Sequence, residues 1–247
     1  AIFSEGALSR NGMVNAPKLG LLSYVCRDFD PAGDTDIIFV PVGTNFDRVV
    51  EQRTLIANAD TDYRGRGAGF VLWSTFVFVC RQIWHKLTRQ RQGFGMAVAN
   101  FGEPLSLRDW SKRNSVSLAS LEQDQLFAAV GALGNELHNR IVDTIPVLPV
   151  PLLAMVLLTA DEPMTRDELQ REALKELENL RGKGAHPGIL EGGEESAILD
   201  GIELMRRLGL IKINGHDKVE PHADERVLLQ YHANSMVQLS ASLGPDS

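Results

Sequence analysis

Ile2-Phe3-Ser4-Glu5-Gly6-Ala7-Leu8-Ser9-Arg10-Asn11-Gly12, with Pro17-Lys18-Leu19-Gly20 behind it, sets the architecture to expect of the chain. Two apolar residues run almost straight into Glu-Gly, and a polar loop carries Ser9 and Arg10. Pro17 then stands where the first turn of a helix admits a residue without an N–H. The pattern reads as strand, anion-binding loop and helix, with Asn15 as the expected N-cap. Arg10 and Lys18 bring positive charge and Ser9 a hydroxyl. The helix start adds unpaired N–H groups at the favourable end of its dipole. A phosphate monoester suits such a site.

Working outward, Pro17 to about Arg27 is expected as a helix with Leu19, Leu22, Val25 and Cys26 inward. Asp36-Ile-Ile-Phe-Val-Pro-Val42 follows as a second strand, so that Ala1–Phe3, the helix and this strand form a βαβ unit with parallel strands. The run Ile37-Ile-Phe-Val40 shows no polar alternation, which predicts a strand covered on both faces. Pro41 stands near its end, where a missing N–H is tolerable. Ligands gather at the carboxyl ends of parallel strands, so Glu5 and the residues after Pro41 are expected to line one edge. Gly95-Met-Ala-Val-Ala-Asn-Phe101 reads as a further strand stopped at Gly102-Glu-Pro104, with the sandwich ending near Trp110. Each residue also has an ordinary structural use: Glu5 as a loop cap, Arg10 and Lys18 as solvated charges, Pro41 as a strand end.

Glu5-Gly6, Ser9-Arg10, Gly12 and the later Pro17-Lys18 and Gly20 resemble the third motif of the glycerol-3-phosphate acyltransferase family. Asp36 to Val42, ending in Val-Pro-Val and running into Gly43-Thr-Asn-Phe-Asp-Arg48, resembles its fourth. Asn100-Phe-Gly-Glu-Pro104 is similar to the family's late strand and turn. The strings are short, but they stand in family order at fitting separations. The resemblance, to the bacterial membrane-associated type, implies transfer of a fatty acyl group from an acyl-CoA or acyl-ACP thioester to the sn-1 hydroxyl of glycerol 3-phosphate, a step of phospholipid biosynthesis. It assigns the phosphate to Arg10 and Lys18. The glycerol end or the loop geometry falls to Glu5, Gly6 and Ser9, and a pocket wall to Pro41 and Val42. Leu8 replaces an Arg common in the family. No metal and no redox cofactor is implied, since a His held by an Asp serves as general base on the hydroxyl.

That His-x-x-x-x-Asp motif precedes the Glu-Gly motif in the family, and here it is expected before Ala1, leaving no catalytic residue in this chain. The chain is thus read as the carboxyl portion of a longer protein, inactive alone. His138 and Asp143 reproduce the string but follow Glu5 by more than a hundred residues. Five positions apart on a helix, they diverge by about 140°.

The bulk numbers agree with a globular protein: 247 residues, 44% hydrophobic, 23% charged. The net charge of −7 argues against a dedicated nucleic-acid binder, whose affinity rests on a basic surface, though it leaves room for local basic patches. Cys26 and Cys80 lack metal-type spacing and read as packing residues of a reduced, cytoplasmic-side protein. From Arg64 the composition changes, with Phe70 to Cys80 apolar and Arg81, Lys86, Arg89 and Arg91 behind it. As a helix this run rises about 16 Å, too short for a bilayer core of about 30 Å. It suits either an interfacial helix on anionic headgroups or a buried helix over the sheet. The first choice places the protein peripherally on the cytoplasmic face of the cell membrane.

Leu121 to Val142 is expected as a helix, and Ile145-Pro-Val-Leu-Pro-Val-Pro151 as a stiff extended linker to a short helix over 152–158. Thr165 and Glu168 form a capping box before an amphipathic helix ending at Gly182 and Gly184. A helix over 195–208, a hairpin turning at Asn214-Gly215 and a last helix over 224–239 complete the chain. His222 and His232 read as surface residues. The fold class is therefore α/β: a partial αβα acyltransferase sandwich over 1–112, then a mainly helical carboxyl-terminal module with a small hairpin over 113–247. The competing class is a non-enzymatic membrane-docking or winged-helix-like DNA-binding module. Asp200 and Glu203 beside Arg206 and Arg207 make a poor phosphate-binding helix.

Overall fold

The computed structural model describes residues 4–6, 9–48, 95–189 and 192–244. The expected strand Ala1–Phe3, residues Ala7 and Leu8, Cys80 and the aromatic-basic run from Arg64 to Arg91 lie outside them. Helix α1 spans Leu19–Cys26, later than expected, with Lys18 in extended conformation as its N-cap. Asn15 does not cap it. Its carboxamide is committed to Glu5 Oε2 at 2.7 Å and to the Met13 carbonyl at 3.3 Å. Pro17 in turn disfavours helical backbone at the residue before it.

The expected second strand divides into β1 (Ile38–Phe39) and β2 (Val42–Phe46). Both pair antiparallel, β1 with β4 (Leu105–Ser106) and β2 with β3 (Ala97–Phe101). The break falls at Val40–Pro41, where the missing N–H interrupts the ladder, while the Pro41 carbonyl accepts from Gly102 N at 2.9 Å. Burial alternates along the run. Pro41, Gly43 and Asn45 are buried, whereas Ile38 and Val40 are about half exposed at 53% and 48%. The expectation of cover on both faces is corrected accordingly: these strands have one covered face.

Ser106 begins α2 (Leu107–Arg113), its hydroxyl accepting from Asp109 N at 3.0 Å and donating to Asp36 Oδ2 at 2.6 Å. Trp110 and Leu107 of α2 join Cys26 and Phe29, together with Val130 and Leu133 of α3 (Gln123–Asp143), in one apolar cluster. Gly134 of α3 admits α1 closely: a Cβ there would stand 2.8 Å from Leu19 Cδ2.

The proline-rich stretch divides: residues 145–148 are non-helical, with Val147 bridged to Pro187, as expected of an extended linker, whereas Pro149 to Pro151 already belong to a core helix. Helix α4 runs Pro149–Thr159 and is buried from Pro149 to Leu157. An apolar helix of this kind requires cover on all sides. It is packed against α5 (Arg166–Gly182), α6 (Glu194–Arg207) and α7 (Arg226–Ser242), which share the second cluster with it. The capping box at Thr165 and Glu168 is present. Gly184 and Gly209, both with positive φ, close α5 and α6 by paired terminal hydrogen bonds to the carbonyls of Arg181 and Leu180, and of Arg206 and Met205. Strands β5 (Met164–Thr165), β6 (Ile211–Ile213) and β7 (Lys218–Pro221) form a sheet in the order β5-β7-β6. Helix, strand, two helices and hairpin, with the first strand beside the last, is the element order of a winged helix.

Candidate functional site

Residues 4–18 contain no helix or strand among those described, so side chains fix their course. Ser9 Oγ donates to the Met13 carbonyl at 2.7 Å, and Asn11 Oδ1 accepts from Met13 N at 3.1 Å, closing a tight loop beneath exposed Arg10. The chain folds back so that Lys18 N donates to the Ser4 carbonyl at 2.8 Å. The Lys18 side chain lies over Gly6, with Nζ 3.5 Å from where a Cβ would stand. Gly6, at φ +67°, accepts this close approach because it has no side chain. Glu5, Gly6 and Lys18 are thus neighbours, with Asn15 as the link to Glu5.

The loop is gripped from behind by α7. Gln238 accepts from Val14 N and donates to the Val14 carbonyl, both at 2.8 Å, as a neighbouring strand would. Asn234 Nδ2 donates to the Asn11 carbonyl at 2.7 Å. Gly12, at φ +80°, sits so close that a Cβ would lie 1.9 Å from the Tyr231 carbonyl. Burial raises the Tyr231 phenol above its ordinary value, and the charge of Glu5 adds to the effect. None of these α7 residues figures in the sequence reading. Their only local signal is polar side chains at i and i+4 beside an apolar stripe, which any solvated helix shows.

Pro41 and Val42 stand in the other part of the site. Pro41 is buried, while Val42 pairs with Phe101 on the exposed side of the hairpin. Below them β2 is fastened to the α3–α4 junction. Asn45 Nδ2 donates to the Pro146 carbonyl at 3.0 Å and lies 3.3 Å from Ser235 Oγ of α7. Buried Asp47 accepts from Val150 N at 3.0 Å and from Met96 N at 2.9 Å. Burial pushes its carboxyl up, opposed by the two N–H donors. Helix α7 therefore touches both parts, through Asn234 and Gln238 on the loop and Ser235 on β2.

A cleft of about 320 Å³ opens elsewhere, between the start of β3 and α6, with Asp200, Glu203 and Arg207 in its wall. Asp143 receives a hydrogen bond from Ser242 Oγ at 2.6 Å. His232 is corrected from surface to core. It is 3% exposed, its Nε2 has no hydrogen-bond partner, and burial lowers its pKa to about 4. Cys26 is buried too, its thiol pushed up to about 11. Among the described residues no group of three or more His, Cys, Asp or Glu stands together as a metal site, and no helix is long and apolar enough to cross a membrane.

Fold and loop together define a class: an α/β segment with a cationic loop, joined to a helical module of winged-helix order. The chain belongs to the family described as the glycerol-3-phosphate acyltransferase C-terminal region, whose model matches residues 81–243. It is similar to a glycerol-3-phosphate acyltransferase of Pseudomonas fluorescens (strain SBW25), 30% identical over 70% of this chain and 19% of the relative. A protein of the same name from Pseudomonas syringae pv. tomato is 27% identical over 97% of this chain and 28% of its own length. One from Shewanella baltica (strain OS155) is 24% identical over 96% and 29%. The chain therefore spans well under a third of the length of these relatives.

Proposed function

We propose that this chain supplies the glycerol 3-phosphate side of an acyltransferase that acylates the sn-1 hydroxyl from an acyl-CoA or acyl-ACP thioester. The observation that carries the reading is the loop from Glu5 to Lys18, with cationic Arg10 and Lys18 at its surface, in a chain of this family. Arg10 and Lys18 take the phosphate dianion, Arg10 through its planar fork and Lys18 as a point charge. Ser9 and Glu5 orient the glycerol end, Gly6 lets the backbone come near, and Pro41 and Val42 form the wall. A His acting as general base, contributed from outside these residues, removes the hydroxyl proton as the oxygen attacks the thioester carbonyl. The tetrahedral adduct collapses and expels the thiol, with no redox cofactor or metal in the step. The work takes place at the cytoplasmic surface of the membrane, where the acyl product belongs.

The element order of a winged helix favours DNA binding as the second reading. Its charges oppose it: Glu203 holds both Arg206, at 2.8 Å, and Arg207, at 2.7 Å, on the helix that would enter a groove.

The test is acyl transfer to glycerol 3-phosphate by the complete polypeptide carrying these residues and by this chain alone. The chain alone is expected to give no turnover, and Arg10→Ala in the complete polypeptide to raise KM for glycerol 3-phosphate about tenfold or more, the loss of one charge-assisted contact. Full activity of the chain alone sinks the missing-base reading, and an unchanged KM sinks the phosphate assignment.

A further inference from the structure

We propose that Gln238 and Asn234 of α7 are positioning residues for the phosphate loop, so that the last helix of the carboxyl-terminal module sets the affinity for the acceptor substrate. The inference rests on the reading of that loop as the glycerol 3-phosphate site and names the device that shapes it.

Four observations meet here. The loop has no ladder of its own, so the orientation of its peptides depends on side-chain partners. The Gln238 carboxamide engages both polar groups of one residue, Val14, at 2.8 Å each, which fixes that peptide in direction as well as place. Asn234, one helical turn earlier, takes the Asn11 carbonyl at 2.7 Å, next in sequence to Arg10. Gly12 lies against the Tyr231 carbonyl too closely for any side chain. Meanwhile α7 is anchored on its opposite side by buried Leu229, Ala233, Met236 and Leu239, in a cluster against which Val14 of the loop also packs. A rigid helix thus presents three successive turns to the stretch that carries Ser9 and Arg10. Positioning of this kind governs how well a bound phosphate is met without touching the reacting atoms.

The experiment is steady-state acyl transfer by the complete polypeptide, with glycerol 3-phosphate and the acyl thioester varied separately, for wild type, Arg10→Ala, Gln238→Met and Asn234→Leu. Hydrogen exchange at the Val14 amide is followed in parallel. Support is a rise of about tenfold in KM for glycerol 3-phosphate in Gln238→Met, with kcat and KM for the thioester within twofold and Val14 exchanging at least tenfold faster. If Arg10→Ala loses affinity but Gln238→Met and Asn234→Leu match wild type, positioning by α7 is overturned and the phosphate reading stands. If kcat falls while both KM values hold, α7 serves packing alone, which also overturns the proposal. If Arg10→Ala matches wild type, the phosphate reading fails and takes this inference with it. Should Gln238→Met not fold, Asn234→Leu, which removes two exposed hydrogen bonds, that to the Asn11 carbonyl and that from Gln230 Nε2, is judged by the same criteria.

Discussion

His232 shows how a single side chain ties stability to pH. It is held in the core with its Nε2 unpaired, its ring meeting that of Tyr231 edge-on at 5.9 Å between centroids. Its pKa in the fold is about 4 against an ordinary 6.5. The unfolded chain therefore binds a proton between those two values that the folded chain refuses. Stability is full above about pH 6.5 and declines as pH falls to about 4, by roughly 3 kcal/mol. His232→Phe is expected to flatten that slope in urea titrations at pH 7, 5.5 and 4, whatever it does to the midpoint at pH 7. The sequence showed this histidine without its surroundings, and ten residues from His222 it looked like another surface imidazole. Arg10 entered the sequence reading because a local string carries it. Gln238 was not, since its partner Val14 is 224 positions away and a backbone amide leaves no mark in sequence.

Among the elements, the start of α4 is tied to the hairpin of β2 and β3. Pro149 and Pro151 fall in its first turn, where an N–H has no acceptor within the helix, so neither proline costs a hydrogen bond. Between them Val150 retains its N–H, and Asp47 at the end of β2 accepts it. Asp47→Ala leaves the Val150 and Met96 N–H groups buried or half-buried without an acceptor. It is expected to lower unfolding free energy by about 2–5 kcal/mol, read by chemical denaturation. Asp47→Asn, which keeps one acceptor oxygen, is expected to lose less. Three prolines in seven residues read as an extended segment because isolated prolines break helices; here two of them start one. The helices α5 and α6 were legible for the opposite reason. Their capping box, terminal glycines and spaced apolar residues are local signals, and tertiary packing agrees with them. The run from Ile37 to Val40 misled because apolar composition does not distinguish a doubly covered strand from one with an exposed apolar face.

Across the whole molecule, charge weighs against a DNA partner for the winged-helix order. The chain carries −7, and Glu203 occupies the paired arginines of α6. Fluorescence anisotropy with a labelled duplex in 150 mM salt is expected to show binding no tighter than the nonspecific range, about 10⁻⁴ to 10⁻⁶ M. Salt-dependent binding at about 10⁻⁸ M or tighter would restore the DNA reading. Helix α7 has its own consequence in time. A ribosome makes Val14 long before Gln238, and at about 5–20 residues per second the 224 positions between them take on the order of ten to forty-five seconds. During that interval the nascent loop lacks its clasp, so a chain stalled short of residue 226 offers Ser9 to Val14 to proteases that the finished protein excludes.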